Sequence, residues 1–334
     1  MRLAILDDYQ GVALDLVDWS QAPGVTVVPF RDHVDCPEQL VARLADFDAV
    51  MRIRERTSFS GSVLERLPRL RLILATGMRN ARSIDLAAAD ALGITVCATD
   101  AQHQSTVEIV WALILCLSRQ VVSEARSLRA GAWQRGLGVG LAGRTIGILG
   151  LGNMGQPVAR IAREFGMRAI AWSPNLTPER ARPFGVEAVD KQRLFRESDV
   201  ITIHMPMTST TGGIVSAEDI AAMRPDAYFV NTSRPGIVDQ DALLDALTHG
   251  RIAGAGLDVF DVEPLPPDHP YRTLPNVLAT PHIGFVTAQN YRIFFEESLQ
   301  NLKAYLAGKP IRRIDAANPF LPDTQVALQN SGRP

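Results

Sequence analysis

The sequence has 334 residues, enough for two domains, since single domains usually hold about 100–150 residues. Its 46% hydrophobic and 21% charged residues are typical of a soluble globular protein with a large core. The net charge of −2 argues against a nucleic-acid-binding protein, and the longest apolar run, 107–118, is too short to span a membrane.

The cysteines indicate a reducing environment. Cys36, Cys97 and Cys116 are scattered and lack the spacing of a metal site or of a disulfide framework. The chain opens on a strand-like run that reaches two aspartates by position 8, so a signal peptide is not expected. We therefore expect a cytoplasmic protein that binds no metal ion.

Short apolar runs alternate with helical patterns along the first hundred residues. Strands are predicted at 2–7, 25–30, 48–53, 71–76 and 93–98. Helical spacing covers 36–47 and 83–93. This alternation predicts a parallel sheet flanked by helices.

A long helical stretch is expected from about Ser105 to Arg129, and a second strand–helix series begins at Arg144. Its strands are predicted at 145–150, 168–173, 199–204, 227–232, 254–259 and 276–280. A C-terminal helix is expected over 288–308, followed by a loose tail. The fold class is therefore α/β, with two domains of the doubly wound parallel-sheet type.

The most specific motif is "TIGILGLGNMGQPVARIAREFGMRAIAWS", residues 145–173, which predicts strand, glycine loop, helix and strand. This context makes Gly150-x-Gly152-x-x-Gly155 a dinucleotide-binding fingerprint. Gly150 permits the tight turn, Gly152 the approach of a pyrophosphate, and Gly155 close helix–strand packing. The second domain is therefore predicted to be a Rossmann domain.

One position departs from the fingerprint. An acidic residue that binds the ribose 2′-hydroxyl normally ends the second strand, but this sequence has Ser173, with Asn175 nearby. Without the carboxylate NADP is possible, and Arg180 could reach a 2′-phosphate. Since no arginine directly follows Ser173, we expect NAD.

Three later strand ends carry chemically useful side chains: Arg234 in "NTSRPGIVD", Asp258 and Glu263 in "LDVFDVEP", and His282 in "TPHIG". Ligands of open α/β sheets bind beyond the carboxyl ends of the strands. Taken singly, Arg234 could form a surface ion pair, Glu263 could be a solvated loop charge, and His282 could be a turn residue. Together they suit hydride transfer between a 2-hydroxy acid and a 2-oxo acid, with His282 exchanging the proton.

These motifs, with "GILGLGNMG" and "HMPMTSTTGG", resemble those of the D-isomer-specific 2-hydroxyacid dehydrogenase family over nearly the whole chain. The resemblance implies an Arg–Glu–His catalytic set at Arg234, Glu263 and His282. It also implies cofactor contacts at Asn153, Met154, His204, Pro206, Thr211, Thr232, Asp258 and Gly284.

The resemblance further implies a discontinuous substrate-binding domain (1–98 plus 287–334), an NAD(P)-binding domain (99–286), and a homodimer built by the helix after Ser105 and an arm near 120–145. A regulatory domain, which phosphoglycerate dehydrogenases often add, is not expected.

The sequence is less specific about the residues that bind the substrate. The family's substrate loop corresponds to "ATGMRNARSID", so Met78, Arg79 and Asn80 are candidate substrate contacts, and Arg79 is either turned toward an anionic substrate or solvated. Arg52 also falls in a substrate-facing loop of the family, although "RIRERT" favours a surface ion-pair cluster. Phe285 and Trp133 are candidates for an apolar wall or for core or dimer packing.

Two other functions are compatible with this fold. A non-enzymatic NAD-sensing protein on the same scaffold is disfavoured because the sequence has no extended disordered tail. A relative of formate dehydrogenase would have Gln where this chain has Glu263. A small 2-oxo or 2-hydroxy acid is therefore the expected partner.

Overall fold

The computed structural model describes residues 1–77 and 83–320. It divides into two compact units, one holding Met1–Gln102 and the segment from Thr287 onward, the other holding His103–Val286.

The first unit begins with strands and helices in alternation: β1 Arg2–Leu6, β2 Thr26–Pro29, α1 Pro37–Leu44, β3 Ala49–Arg52, α2 Gly61–Leu64, β4 Leu72–Ala75, α3 Leu86–Ala91 and β5 Thr95–Ala98. These five strands pair in parallel in the order β2-β1-β3-β4-β5. β3 and β4 are buried at every residue, as expected of parallel strands with both faces covered.

The second unit contains α4 Gln104–Ser118, α5 Val121–Arg129, β6 Thr145–Leu149, α6 Gly155–Glu164, β7 Arg168–Trp172, α7 Pro178–Ala181, β8 Glu187–Ala188, α8 Lys191–Glu197, β9 Val200–Ile203, α9 Ala217–Ala221, β10 Tyr228–Asn231, α10 Gln240–Thr248, β11 Gly254–Leu257 and β12 Val277–Ala279. The strand order is β12-β11-β10-β9-β6-β7-β8, and every pairing is parallel. The order reverses between β6 and β9, where ligands of such sheets bind.

Helices cover both faces of this second sheet. The core on one face gathers side chains of α8, α9 and α10, including Phe195, Ile220 and Leu243. The core on the other face gathers α4 and α6, including Trp111 and Val158. The doubly wound α/β architecture predicted from the alternation of strands and helices is confirmed.

The chain then returns to the first unit. Helix α11, Ala288–Leu306, packs against β4 and β5, and its Phe294 and Phe295 are fully buried. A short strand, β13 Arg313–Ile314, pairs antiparallel with β5 and was not predicted.

The helical stretch predicted from about Ser105 to Arg129 is divided into two helices. α4 and α5 meet at Gln120, whose φ of +54° lies in the left-handed region and breaks the helix with a bend of 61°. No single helix among residues 1–77 and 83–320 is long and apolar enough to cross a membrane. The bent α4–α5 pair meets that criterion only in length and composition, and α4 is largely buried.

Candidate active site

The glycine loop follows β6 at the point where the strand order reverses. Gly150 has a φ of +95°, and a Cβ there would lie 2.7 Å from the carbonyl oxygen of His204. A Cβ on Gly155 would lie 2.1 Å from the carbonyl oxygen of Gly150. Both positions therefore require glycine.

Gly152 differs from its two neighbours. A Cβ added there would meet none of the described atoms within 4 Å, so its backbone faces open space. Asn153 and Met154 complete the turn, and α6 starts directly after them. The Gln156 amide donates to the Gly152 carbonyl oxygen at 3.0 Å, and the first amides of a helix have no partner inside the helix itself. Open backbone at a helix start is what a pyrophosphate needs, so the residues present fit a dinucleotide.

Ser173 emerges beside this loop because Trp172, at the end of β7, pairs with Leu149 of β6. The position offers a hydroxyl instead of a carboxylate. Arg180 donates a hydrogen bond to the carbonyl oxygen of Asn175 at 2.5 Å, so its guanidinium is engaged with its own turn.

His204, Pro206 and Thr211 lie in the loop after β9, next to β6. Burial lowers the pKa of His204 to about 3, and its Nε2 lies 3.0 Å from the hydroxyl of Thr202, so this ring is neutral at physiological pH. The hydroxyl of Thr211 donates to the carbonyl oxygen of Pro206 at 2.6 Å. Thr211 therefore fixes the loop shape.

Arg234 lies three residues beyond β10, after the buried Thr232. Two neighbours that were not predicted hold this loop: the Asn231 amide donates to the Arg234 carbonyl oxygen at 3.0 Å, and the Ser233 hydroxyl donates to the Met205 carbonyl oxygen at 2.5 Å. The Arg234 guanidinium donates to the Ser233 carbonyl oxygen at 2.6 Å.

Asp258 holds the loop that carries His282. Its Oδ1 accepts from the Thr280 hydroxyl at 2.6 Å and from the Ile283 amide at 2.8 Å, and its Oδ2 accepts from the Gly284 amide at 2.8 Å. Asp258 is 1% exposed, and this burial raises the pKa of its carboxyl group. The resemblance predicted Asp258 and Gly284 as cofactor contacts, and the hydrogen bond between them was not predicted.

His282 and Glu263 form a direct pair. The imidazole Nδ1 lies 2.6 Å from Glu263 Oε2, and Glu263 Oε1 accepts from the Phe260 amide at 2.9 Å. Since an ionised carboxylate only accepts, Nδ1 carries the hydrogen and Nε2 is left to exchange a proton. Nε2 has no hydrogen-bond partner in the described part of the chain.

The sheet register brings these strand ends together. Asn231 of β10 pairs with Leu257 of β11, which pairs with Ala279 of β12. Arg234, Asp258 and His282 follow these residues within three positions and leave the same edge of the sheet.

Comparison with known proteins shows the family. A family model described as "D-isomer specific 2-hydroxyacid dehydrogenase, NAD binding domain" matches residues 111–284. The chain belongs to this family.

Two relatives carry different assigned names. The D-3-phosphoglycerate dehydrogenase of Methanocaldococcus jannaschii is 37% identical over 276 residues, covering 81% of this chain and 52% of that protein. The glyoxylate reductase of Aeropyrum pernix is 37% identical over 284 residues, covering 81% of this chain and 84% of that protein. This chain therefore spans about half the length of the first relative and most of the second.

A solved structure agrees with these matches. The phosphoglycerate oxidoreductase of Vibrio cholerae O395 is 37% identical, has a TM-score of 0.87, and covers 92% of this chain and 99% of its own. The family predicted from the motifs is confirmed.

In the first unit, the interpretation of Arg52 as part of a surface cluster is wrong. Arg52 is fully buried, so it is not part of a surface ion-pair cluster. It donates to the Thr57 carbonyl oxygen at 3.0 Å and to the Ser83 hydroxyl at 2.5 Å. Burial lowers its pKa to about 10, which leaves it charged at neutral pH. Met78, Arg79 and Asn80 lie outside the described residues.

The two aromatic candidates occupy different environments in the second unit. Phe285 is 6% exposed and its ring lies 5.5 Å from the His282 ring, whereas Trp133 is 75% exposed.

Proposed function

We propose that this chain is a nicotinamide-dependent oxidoreductase that interconverts a D-2-hydroxy acid and its 2-oxo acid, acting as a 2-oxo acid reductase. The observation that carries the proposal is the 2.6 Å pair of His282 and Glu263, which leaves Nε2 open on the same sheet edge as the glycine loop. Family membership supports it.

Each residue of the site has a distinct task. In reduction, Nε2 of His282 donates a proton to the substrate oxygen, and in oxidation it accepts that proton. Glu263 fixes the ring through Nδ1 and stabilises the imidazolium. Arg234 binds the substrate carboxylate and favours negative charge developing on the adjacent oxygen. The nicotinamide, when bound, supplies or accepts the hydride.

We propose NAD as the cofactor. The loop from Gly150 to Gly155 and the start of α6 would bind its pyrophosphate, and Ser173 would contact its ribose. Arg180, the nearest candidate for a 2′-phosphate, already donates to Asn175. Titration of protein fluorescence should give tighter binding of NADH than of NADPH, and Arg180→Ala should leave the NADH affinity unchanged. A strong preference for NADPH would contradict this proposal.

We propose that the first unit binds the substrate, a small 2-oxo acid. Arg52 supports this role because its buried guanidinium donates hydrogen bonds to Thr57 and Ser83. Met78, Arg79 and Asn80 remain candidate contacts. The relatives suggest glyoxylate and the keto acid of a phosphoglycerate as first substrates to test.

We propose a homodimer formed by α5 and the segment after it. α5 has no buried residue, and exposed apolar side chains concentrate here, with Leu128 57%, Trp133 75% and Leu137 93% exposed. Light scattering should give twice the chain mass for the wild type and a lower mass for Leu137→Asp. Leu92→Asp, at the partly exposed end of α3, is the matched control. A monomeric wild type would contradict the proposal.

The decisive experiment is a panel of 2-oxo acids with NADH, run on the wild type and on His282→Ala. We expect turnover of at least one acid by the wild type and a loss in kcat/KM of about 10²–10⁴-fold in the variant. His249→Ala, which removes a surface histidine of the same unit, is the control. Binding of NADH without turnover of any acid would favour a cofactor-sensing protein instead.

A further inference from the structure

The residue after the His282 loop contacts the imidazole ring itself. The Phe285 and His282 ring centroids are 5.5 Å apart with an interplanar angle of 77°, the edge-to-face arrangement that aromatic pairs prefer. Phe285 is 6% exposed, so the surrounding protein holds its ring.

The backbone that leads into Phe285 is held as well. Asp258 accepts hydrogen bonds from the amides of Ile283 and Gly284, the two residues before Phe285, at 2.8 Å each. The Val286 amide donates to the Ile283 carbonyl oxygen at 2.9 Å, which closes a turn around Phe285. The phenyl ring is therefore a fixed surface against which the imidazole rests.

A single hydrogen bond does not fix the plane of a ring. The ring is attached to the chain at Cγ and bonded to Glu263 at Nδ1, but the broad angular range of a hydrogen bond still allows the ring to tilt through its side-chain torsions, which would move Nε2 relative to the substrate oxygen. A second contact on the ring removes this freedom. In the described part of the chain Phe285 supplies a ring contact to His282.

We propose that Phe285 is a positioning residue that fixes the plane of the His282 ring, so that Nε2 meets the substrate oxygen. The inference rests on the proposed function of His282. Pre-organised geometry of this kind acts on turnover and hardly on the binding of substrate or cofactor.

The test compares three substitutions at this position by steady-state kinetics with the best 2-oxo acid. Phe285→Ala should lower kcat about 10-fold or more, with KM and the NADH dissociation constant within about twofold of the wild type. Phe285→Leu, which keeps most of the volume without a flat ring and guards against misfolding of the Ala variant, should also be slow. Phe285→Tyr should recover kcat to within about threefold. The matched control is Phe165→Leu, which breaks another aromatic pair of the same unit, with Trp111.

A double-mutant cycle with Glu263→Gln separates positioning from general packing. If both residues hold the same ring, the double variant should lose clearly less than the product of the two single losses. The proposal is overturned if Phe285→Ala keeps kcat within twofold of the wild type or if the two losses multiply. His282→Ala is measured in the same series. If it keeps turnover, the proposed function fails, whereas if it alone abolishes turnover, only the role of Phe285 fails.

Discussion

Among the described residues, a histidine–carboxylate pair lies beyond the strand ends of the sheet in each unit, and the two pairs differ in the surroundings of the second ring nitrogen. In the first unit His33 Nδ1 lies 2.8 Å from Asp7 Oδ1, and in the second His282 Nδ1 lies 2.6 Å from Glu263 Oε2. His33 also places Nε2 2.7 Å from Asp35 Oδ1. Nε2 of His282 has no such partner among residues 1–77 and 83–320.

The second carboxylate changes what the imidazole can do. The hydrogen bond to Asp7 raises the pKa of His33, and Asp35 adds to this effect. Such a ring holds two parts of the chain together and has no nitrogen left for a ligand. A histidine–carboxylate pair can exchange a proton with a ligand only where the other ring nitrogen has no protein partner.

The largest predicted effect is the loss of turnover when the carboxylate of the His282 pair is replaced by an amide, compared with the same replacement in the His33 pair. Glu263→Gln keeps a hydrogen-bonding group but no longer stabilises the imidazolium, so kcat/KM should fall on the order of 10²-fold. Asp7→Asn, the matching change at the other pair, should leave kcat within about twofold. Steady-state kinetics at pH 7 measure both. Similar losses in the two variants would remove the distinction between the pairs.

A second contrast concerns two buried aspartates that hold loops. Asp258 holds the Ile283 and Gly284 amides, and Asp8 holds the Val12 and Ala13 amides at 3.0 and 3.1 Å. Both carboxylates are 1% exposed.

Removing either carboxylate leaves one buried and one half-buried amide without an acceptor. Asp258→Ala and Asp8→Ala should each lower the free energy of unfolding by about 1–3 kcal/mol per unsatisfied amide. Only Asp258→Ala should also lower kcat, because its loop carries His282. Urea denaturation and kinetics on the same samples test this, and an equal loss of kcat in Asp8→Ala would contradict it.

The strands and the glycine loop could be predicted because their determinants are local. Parallel strands covered on both faces need continuous apolar runs such as "LILA" at Leu72–Ala75. The turn at Gly150 needs a residue without a Cβ. Such requirements are visible within a few residues of sequence.

Features set by distant contacts could not be predicted in this way. The charge-rich "RIRERT" suggested a surface, but Arg52 is buried because Thr57 and Ser83, 31 residues away, accept its hydrogen bonds. Gln120 breaks α4 from α5 without a glycine or proline to mark the place. β13 exists only because β5 offers it an edge.

The same limit applies to the two histidine pairs. Glu263 and His282 were predicted as partners because both belong to recognisable motifs at neighbouring strand ends. His33 belongs to no motif, and its partner Asp7 lies 26 residues earlier. The hydrogen bonds from the His282 loop to Asp258 were also not predicted. Every residue except proline has a backbone amide, so the sequence does not show which amides a carboxylate will bind.

The smallest expected effect is the pH dependence of stability at His33. Its folded-state pKa is raised above the unfolded value of about 6.5, chiefly by the hydrogen bond to Asp7. The stability gained from protonation is therefore fully present below pH about 6.5 and is lost as pH rises through the folded-state pKa. His33→Gln should cost about 0.5–1.5 kcal/mol per hydrogen bond lost at pH 6, and less at pH 9.

Urea denaturation of the wild type and of His33→Gln at both pH values measures this difference. His249→Gln is the control, since that imidazole also lies near a carboxylate, Asp245, but its side chain is 65% exposed. A difference in the free energy of unfolding that is the same at pH 6 and pH 9 would show that the His33 ring acts through packing alone. In that case the two carboxylates near His33 would not stabilise the charged form of its ring. The remaining difference between the two histidines would be that Nε2 is bonded to a carboxylate in His33 and not in His282.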